Sequence, residues 1–261
     1  MRPLSLNHKS ALVIAHPGHE LLVYNWLSLA NPYVFVLTDG SGHSHKSRLH
    51  RTTSIINSLG ARPGSIYGRL TDADAYSAIL AGEVGVFIRM ASELAEALVH
   101  HRIEYIVGDA IEGYNPVHDI CRLIINAAVK KVCQMGHCLA NFDVSLAYQH
   151  DLAQKSTADI VSIAASEQML AEKLQVARDY SELAVDVNRI IAQEGVTSLG
   201  IEYLRPVNEN SYQRFQEQPY YEVYGERQVA AGRYQQVIRY RDHVLPIGEA
   251  LKDLSRGLAV R

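Results

Sequence analysis

Two histidines stand three residues apart in the segment Ala15-His16-Pro17-Gly18-His19-Glu20, where an apolar run gives way to a helical pattern. Imidazoles at that spacing on one turn can face a single ion. A third, His118, closes the segment Asp109-Ala110-Ile111-Glu112-Gly113-Tyr114-Asn115-Pro116-Val117-His118. Three neutral imidazoles with a fourth position open make a sufficient catalytic zinc site, because the ion acidifies its bound water and polarises a carbonyl. Cobalt, nickel or iron suit the same donors. A lone loop histidine is more often solvated or capping, and the chain has 12 of them, so the metal reading depends on the three meeting in space.

Short apolar runs alternate with helical patterns over the first two-thirds, which is the signature of βαβ units and of a parallel sheet covered on both faces. The expected strands are 11–15, 33–38, 65–67, 104–108 and 144–147. The expected helices are 20–29, 47–59, 74–101 with a break near Gly82 or Gly85, and 117–131. The fold class is therefore α/β, a doubly wound, mostly parallel, Rossmann-like sheet. Ligands bind such sheets outside the carboxyl ends of the strands, where the winding reverses. With the common order 3-2-1-4-5, the loops after the first and fourth strands flank that crevice, and His118 approaches His16 and His19.

The metal-binding core is placed at residues 1–156. From 157 to 261 a C-terminal extension is expected to pack on the same domain. It begins with a long amphipathic helix through Ile163, Met169, Leu170, Leu174, Ala177, Leu183, Val187 and Ile191 as far as Gly195. A short strand follows at 199–204. The tail from Pro219 is rich in tyrosine and arginine, a composition that suits closure of a carbohydrate pocket, a subunit contact or plain packing.

The whole sequence has 261 residues, 48% hydrophobic and 20% charged, with a formal net charge of -3. These values describe an ordinary globular chain and supply no concentrated basic face for nucleic acid. The apolar stretch near the N-terminus is too short and interrupted for a signal peptide, and no segment reads as a membrane span, so a cytoplasmic location and no membrane partner are expected. Cys121, Cys133 and Cys138 read as free thiols.

The pattern resembles the zinc-dependent de-N-acetylases of the PIG-L or LmbE-like family, which act on N-acetylglucosamine-containing substrates. Their first strand ends in A-H-P-D-D-E, matched at Ala15, His16, Pro17 and Glu20. Their T-D-G motif is matched by Thr38-Asp39-Gly40, and a following arginine and L-G pair by Arg48 and Leu59-Gly60. Asn115-Pro116-Val117-His118 occupies the place of H-P-D-H, and Lys173, Ala177, Tyr180, Gly195 and Glu202 resemble a later helix and its sequel. The resemblance implies a zinc cofactor and a small N-acetylated sugar as substrate. It also implies that Asp39, Arg48 and Asn115 line the site or support its ligands. The departures fall on chemistry. Gly18 stands where the family has its general base, and His19 where it has a metal-binding aspartate. Asn115 replaces a histidine that assists the tetrahedral intermediate. Asp109 or Glu112 on the facing loop is the expected substitute base, and Tyr114 a donor to the oxyanion.

Two functions follow. One is a metal-dependent amide hydrolase that deacetylates an amino sugar, nucleotide sugar or glycoside. The other is a non-catalytic metal- or sugar-binding partner protein. Self-association suits either. Nucleotide binding is disfavoured because Gly40-Ser41-Gly42 lacks the third glycine and follows the second strand, and no G-x-S-x-G elbow offers a serine nucleophile.

Overall fold

The computed structural model describes residues 5–145, 160–180, 188, 191–192, 195–207, 215 and 217–254. Its centre is a seven-stranded sheet in the order β3-β2-β1-β4-β5-β7-β6. The strands are β1 (Ser10–Ile14), β2 (Tyr33–Thr38), β3 (Arg62–Leu70), β4 (Tyr105–Asp109), β5 (Ala140–Val144), β6 (Val161–Ala164) and β7 (Ile201–Pro206). β1 to β5 run parallel, while β7 lies antiparallel to both β5 and β6. This is a doubly wound α/β fold. Winding reverses at β1, whose two neighbours are β2 and β4, so the crevice opens above its carboxyl end.

The helices are α1 (Tyr24–Ala30), α2 (Leu49–Ser58), α3 (Asp72–Leu80), α4 (Val84–His100), α5 (Pro116–Gln134), α6 (Glu167–Asp179), α7 (Tyr220–Ala230) and α8 (Leu245–Leu254). A 3-10 turn, His19–Val23, precedes α1. Alternation along β1 sorts the core into two layers. Ala11 and Val13 face a cluster built with α3, α4, α5 and α8, whereas Leu12 and Ile14 face Trp26, Ile56, Phe142 and Leu204 on the other side. Every residue of β1 is buried, as a strand covered on both faces requires. At Gly108 a Cβ would lie 2.5 Å from Val13 O and from Ile125 Cδ1, so glycine lets β4 approach both its neighbour strand and α5.

The region between α3 and α4 breaks at Ala81-Gly82-Glu83, with Gly82 at φ +65°. The expected long helix from 157 does not form as one element. Ile163 sits in β6, and the helix ends at Asp179, where Tyr180 turns to φ −82°, ψ 79°. Pairing with β7 captures the Val161–Ala164 run, because a β-branched stretch against an exposed sheet edge gains more from the ladder than from an isolated first turn. Leu183 and Val187 lie outside the described residues. The fifth strand is Ala140–Val144, shifted from the expected 144–147, of which residues 146 and 147 also lie outside the described residues. None of the described helices is long and apolar enough to cross a membrane.

Candidate metal centre

The turn after β1 and the first turn of α5 bring three imidazoles together. Ring centres are 5.6 Å apart for His16 and His19, 5.1 Å for His16 and His118, and 4.5 Å for His19 and His118. Glu20 fixes the turn from within. It is fully buried and accepts Gly18 N at 2.7 Å and Thr52 Oγ1 at 2.9 Å. Gly18 adopts φ +111°, a left-handed conformation that a side chain rarely tolerates. His118 is positioned by the helix start: Asn115 Oδ1 caps Val117 N at 2.8 Å, and Pro116 fills the first helical position.

Carboxylates stand behind two of the rings. His16 Nδ1 lies 2.9 Å from Asp72 Oδ1 and 2.7 Å from Thr38 Oγ1, and Thr38 also donates to Asp72 Oδ1 at 2.6 Å. His19 Nδ1 lies 2.9 and 3.0 Å from the two oxygens of Asp109, whose Oδ2 also accepts Ala15 N at 2.7 Å. Both carboxylates sit at strand ends, Asp109 closing β4 and Asp72 opening the helix after β3. Buried Arg122 secures the Asp109 end, donating Nε to the Asp109 carbonyl and Nη2 to Phe142 O at 3.0 Å.

Burial pulls the pKa of His16 down more than Asp72 raises it. Burial also lowers His19, but Asp109 and Glu20 together more than offset this and the net shift is upward. His118 is driven well below its ordinary value by burial and by the neighbouring His19 and His16. Asp72 is pushed up by burial, yet the bonds from His16, Thr38 and Gly42 N hold it well below the usual carboxylate range. A neutral His16 donating Nδ1–H to an ionised Asp72 presents a lone pair at Nε2. That atom and His118 Nδ1 are both buried without a hydrogen-bond partner.

A metal shared by three imidazoles at about 2.0–2.1 Å would place their ring centres roughly 5 Å apart, the spacing observed. Among the described residues, however, no three His, Cys, Asp or Glu donors are gathered as a metal-holding group. The rings meet edge to face, at interplanar angles of 81°, 64° and 90°. Convergence is thus of rings more than of donor atoms.

The other sequence candidates fall around this cluster in different ways. Asp39 accepts Ser41 N at 3.0 Å and bonds no histidine among the described residues; Thr38 and Asp72 hold His16 instead. Arg48 donates Nε to the Gly40 carbonyl, and its charge reaches His19, where it opposes protonation. Asn115 Nδ2 donates to Tyr76 Oη at 2.9 Å. Glu112 accepts the Ser145 hydroxyl. Tyr114 is 48% exposed, with its ring centre 6.4 Å from that of His118. Asp72 escaped the sequence reading, although Thr71 and Asp74 form a capping box that sets it on the first turn of α3.

These elements define a doubly wound α/β domain with an imidazole and carboxylate cluster at the carboxyl ends of its strands. No protein-family model and no curated protein matches the chain by sequence. Solved deacetylases share the fold. A deacetylase–bog complex in the biosynthesis pathway of teicoplanin aligns with TM-score 0.52 and 12% identity, over 77% of this chain and 100% of the other. The antimicrobial reagent A40926 pseudoaglycone deacetylase aligns with TM-score 0.51 and 14% identity, over 80% and 100% respectively.

Proposed function

We propose that the protein is a metal-dependent amide hydrolase that deacetylates an N-acetylated amino sugar, nucleotide sugar or glycoside, with His16, His19 and His118 as ligands of zinc or a similar divalent ion. The observation that carries this reading is the pair of buried, unpartnered imidazole nitrogens on rings whose neighbours are oriented by Asp72 and Asp109. Carboxylate–imidazole pairs of this kind set the tautomer and raise the basicity of a metal-binding histidine. Turning the rings about their broad Cβ–Cγ torsions is the motion needed to aim the nitrogens at one point. A bound divalent ion supplies a polarised carbonyl and an acidified water.

The remaining roles belong to the chain's own groups. Asp109 is committed to His19 and Ala15 N, so proton acceptance falls to Glu112, on the loop that leads into His118. Tyr114 donates its hydroxyl to the developing oxyanion. Asn115 keeps that loop and Tyr76 together, and Arg48 offers its outer guanidinium nitrogens to substrate hydroxyls. Glu112→Gln should lower turnover by roughly 10²–10⁴ while metal content stays the same. The fold shared with the teicoplanin-pathway and A40926 pseudoaglycone deacetylases is compatible with this chemistry.

A second reading is a binding protein that has lost catalysis, favoured by the glycine at position 18. The two separate in one experiment: metal analysis of the purified protein with acetate release measured on N-acetylglucosamine, its nucleotide conjugates and N,N′,N″-triacetylchitotriose. Stoichiometric metal with acetate release supports the hydrolase. Metal without release from any of them supports the binding protein, and absence of metal overturns both metal readings.

A further inference from the structure

Gly113, in the loop that leads into α5, is held by both of its backbone polar groups. Its N–H donates to Asp119 Oδ1 at 3.2 Å, and its carbonyl accepts Tyr221 N of α7 at 3.2 Å. The same Asp119 oxygen accepts Glu112 N at 3.0 Å. Asp119 lies on the first turn of α5, next to His118, and reaches back to the loop that precedes its own helix. Gly113 adopts φ +66°, and a Cβ there would lie 3.0 Å from Phe215 Cε1 and 3.2 Å from Pro219 Cβ. The residue between Glu112 and Tyr114 is therefore glycine both by conformation and by space.

The Asp119 carboxyl group is almost fully buried, and its second oxygen, Oδ2, has no hydrogen-bond partner among the described residues. A carboxyl group is costly to take out of water, so the two loop amides are the contacts that account for this one. Those amides belong to the stretch whose side chains stand beside the histidines. Glu112 accepts the Ser145 hydroxyl, just beyond β5, and the Tyr114 ring lies 6.4 Å from that of His118. The loop is thus fastened from α5, from α7 and from the end of β5, with Gly113 gripped at its middle.

We propose that Asp119 is the positioning residue of this loop: together with α7 it clamps Gly113 and so fixes Glu112 and Tyr114 against the histidine cluster. Enclosed as it is, Asp119 acts through the loop and not on the substrate. Reacting groups lose rate when they are displaced by about an ångström, so a clamp between two of them serves turnover more than affinity. The inference rests on the hydrolase reading for what Glu112 and Tyr114 do there. The clamp itself can be measured without turnover.

The test compares Asp119→Ala and Asp119→Asn with the natural protein by hydrogen exchange at the Glu112 and Gly113 amides, by zinc titration, and by acetate release from N,N′,N″-triacetylchitotriose. In Asp119→Ala the two amides should exchange about tenfold faster or more, since each loses its acceptor. Its kcat should fall by up to roughly 10²-fold at a nearly constant KM, while zinc affinity stays that of the natural protein. Asp119→Asn keeps an acceptor oxygen and should restore both the slow exchange and the turnover. Gly113→Ala, which keeps the carboxylate but has no room for its methyl group, should reproduce the alanine pattern and carries the test if Asp119→Ala does not fold. Unaltered exchange in these variants, or natural kcat despite fast exchange, overturns the inference. A fall in zinc affinity that matches the fall in kcat also overturns it, because Asp119 would then be holding the ligand helix and not the loop. If the natural protein releases no acetate, the hydrolase reading is lost, and the exchange rates alone uphold or overturn the clamp.

Discussion

The two carboxylates behind the histidines do equivalent work from opposite sides of β1. Asp72 arrives from beyond β2 and Asp109 from β4. Loss of such a partner typically weakens metal affinity by about 10–100-fold. Asp72→Asn should do so in a zinc titration, and it should also lower the urea stability of the metal-free protein, because the carboxylate accepts bonds from Thr38 and Gly42 N and pairs with His16. An unchanged zinc affinity would mean that His16 is no ligand. Gly18 sets a different limit. Because its φ is +111°, Gly18→Asp should cost roughly 1–3 kcal/mol of stability, measurable by urea unfolding of the metal-free protein. An inactive Gly18→Asp variant therefore says little unless its stability is known. That the rings of His16, His19 and His118 meet was legible, because two loops at one end of the sheet had to come together. Asp72 was not, since nothing in a single sequence reveals which acidic residue of a loop points inward. Asp39 drew the role through its place in a motif, while its side chain turned to cap Ser41 N.

At the level of elements, the site depends on how the added strand pair grips the first crossover. Glu202 on β7 is fully buried; its carboxylate accepts Asn25 N and Trp26 N, each at 2.9 Å, and meets Lys173 Nζ of α6 at 2.9 Å. It thus satisfies free amides at the start of α1, directly after the turn that carries His16 and His19. Glu202→Gln would leave the Lys173 ammonium buried without its counter-charge, at a cost of about 3–5 kcal/mol. Chemical denaturation should register that loss, and Glu202→Gln with Lys173→Met should recover much of it. If the single variant matched the natural protein, the pair would not be what fixes α1. Of the residues that suggested kinship in the second half, Lys173, Ala177, Tyr180 and Glu202 are buried, while Gly195 is exposed. Their sequence signal is thus one of packing. The course of the chain between them was harder to read, because Val161–Ala164 is short and apolar, a pattern shared by strands and helix flanks until its β7 partner is known.

Across the whole molecule, the parallel order around β1 was legible from the alternation of strands and helices, because right-handed crossovers leave few ways to cover both faces. The antiparallel edge was not, since β5, β7 and β6 pair across sequence gaps that periodicity does not encode. That topology makes the candidate site a junction between β1, β3, β4 and the start of α5, so occupancy should couple to global stability. A ligand bound only by the folded state at 100 times its dissociation constant adds about 2.7 kcal/mol. In a chain this size that amounts to roughly 5–10 °C in melting temperature. The natural protein, stripped with chelator and then given zinc, should show such a rise, and His16→Ala and His118→Ala should show none. A rise of the same size in both variants would put the ion elsewhere, with Cys133, His137 and Cys138 the first place to look. Should the natural protein melt at one temperature with and without zinc, cobalt, nickel and iron, the three imidazoles form a packed cluster and the hydrolase reading is lost.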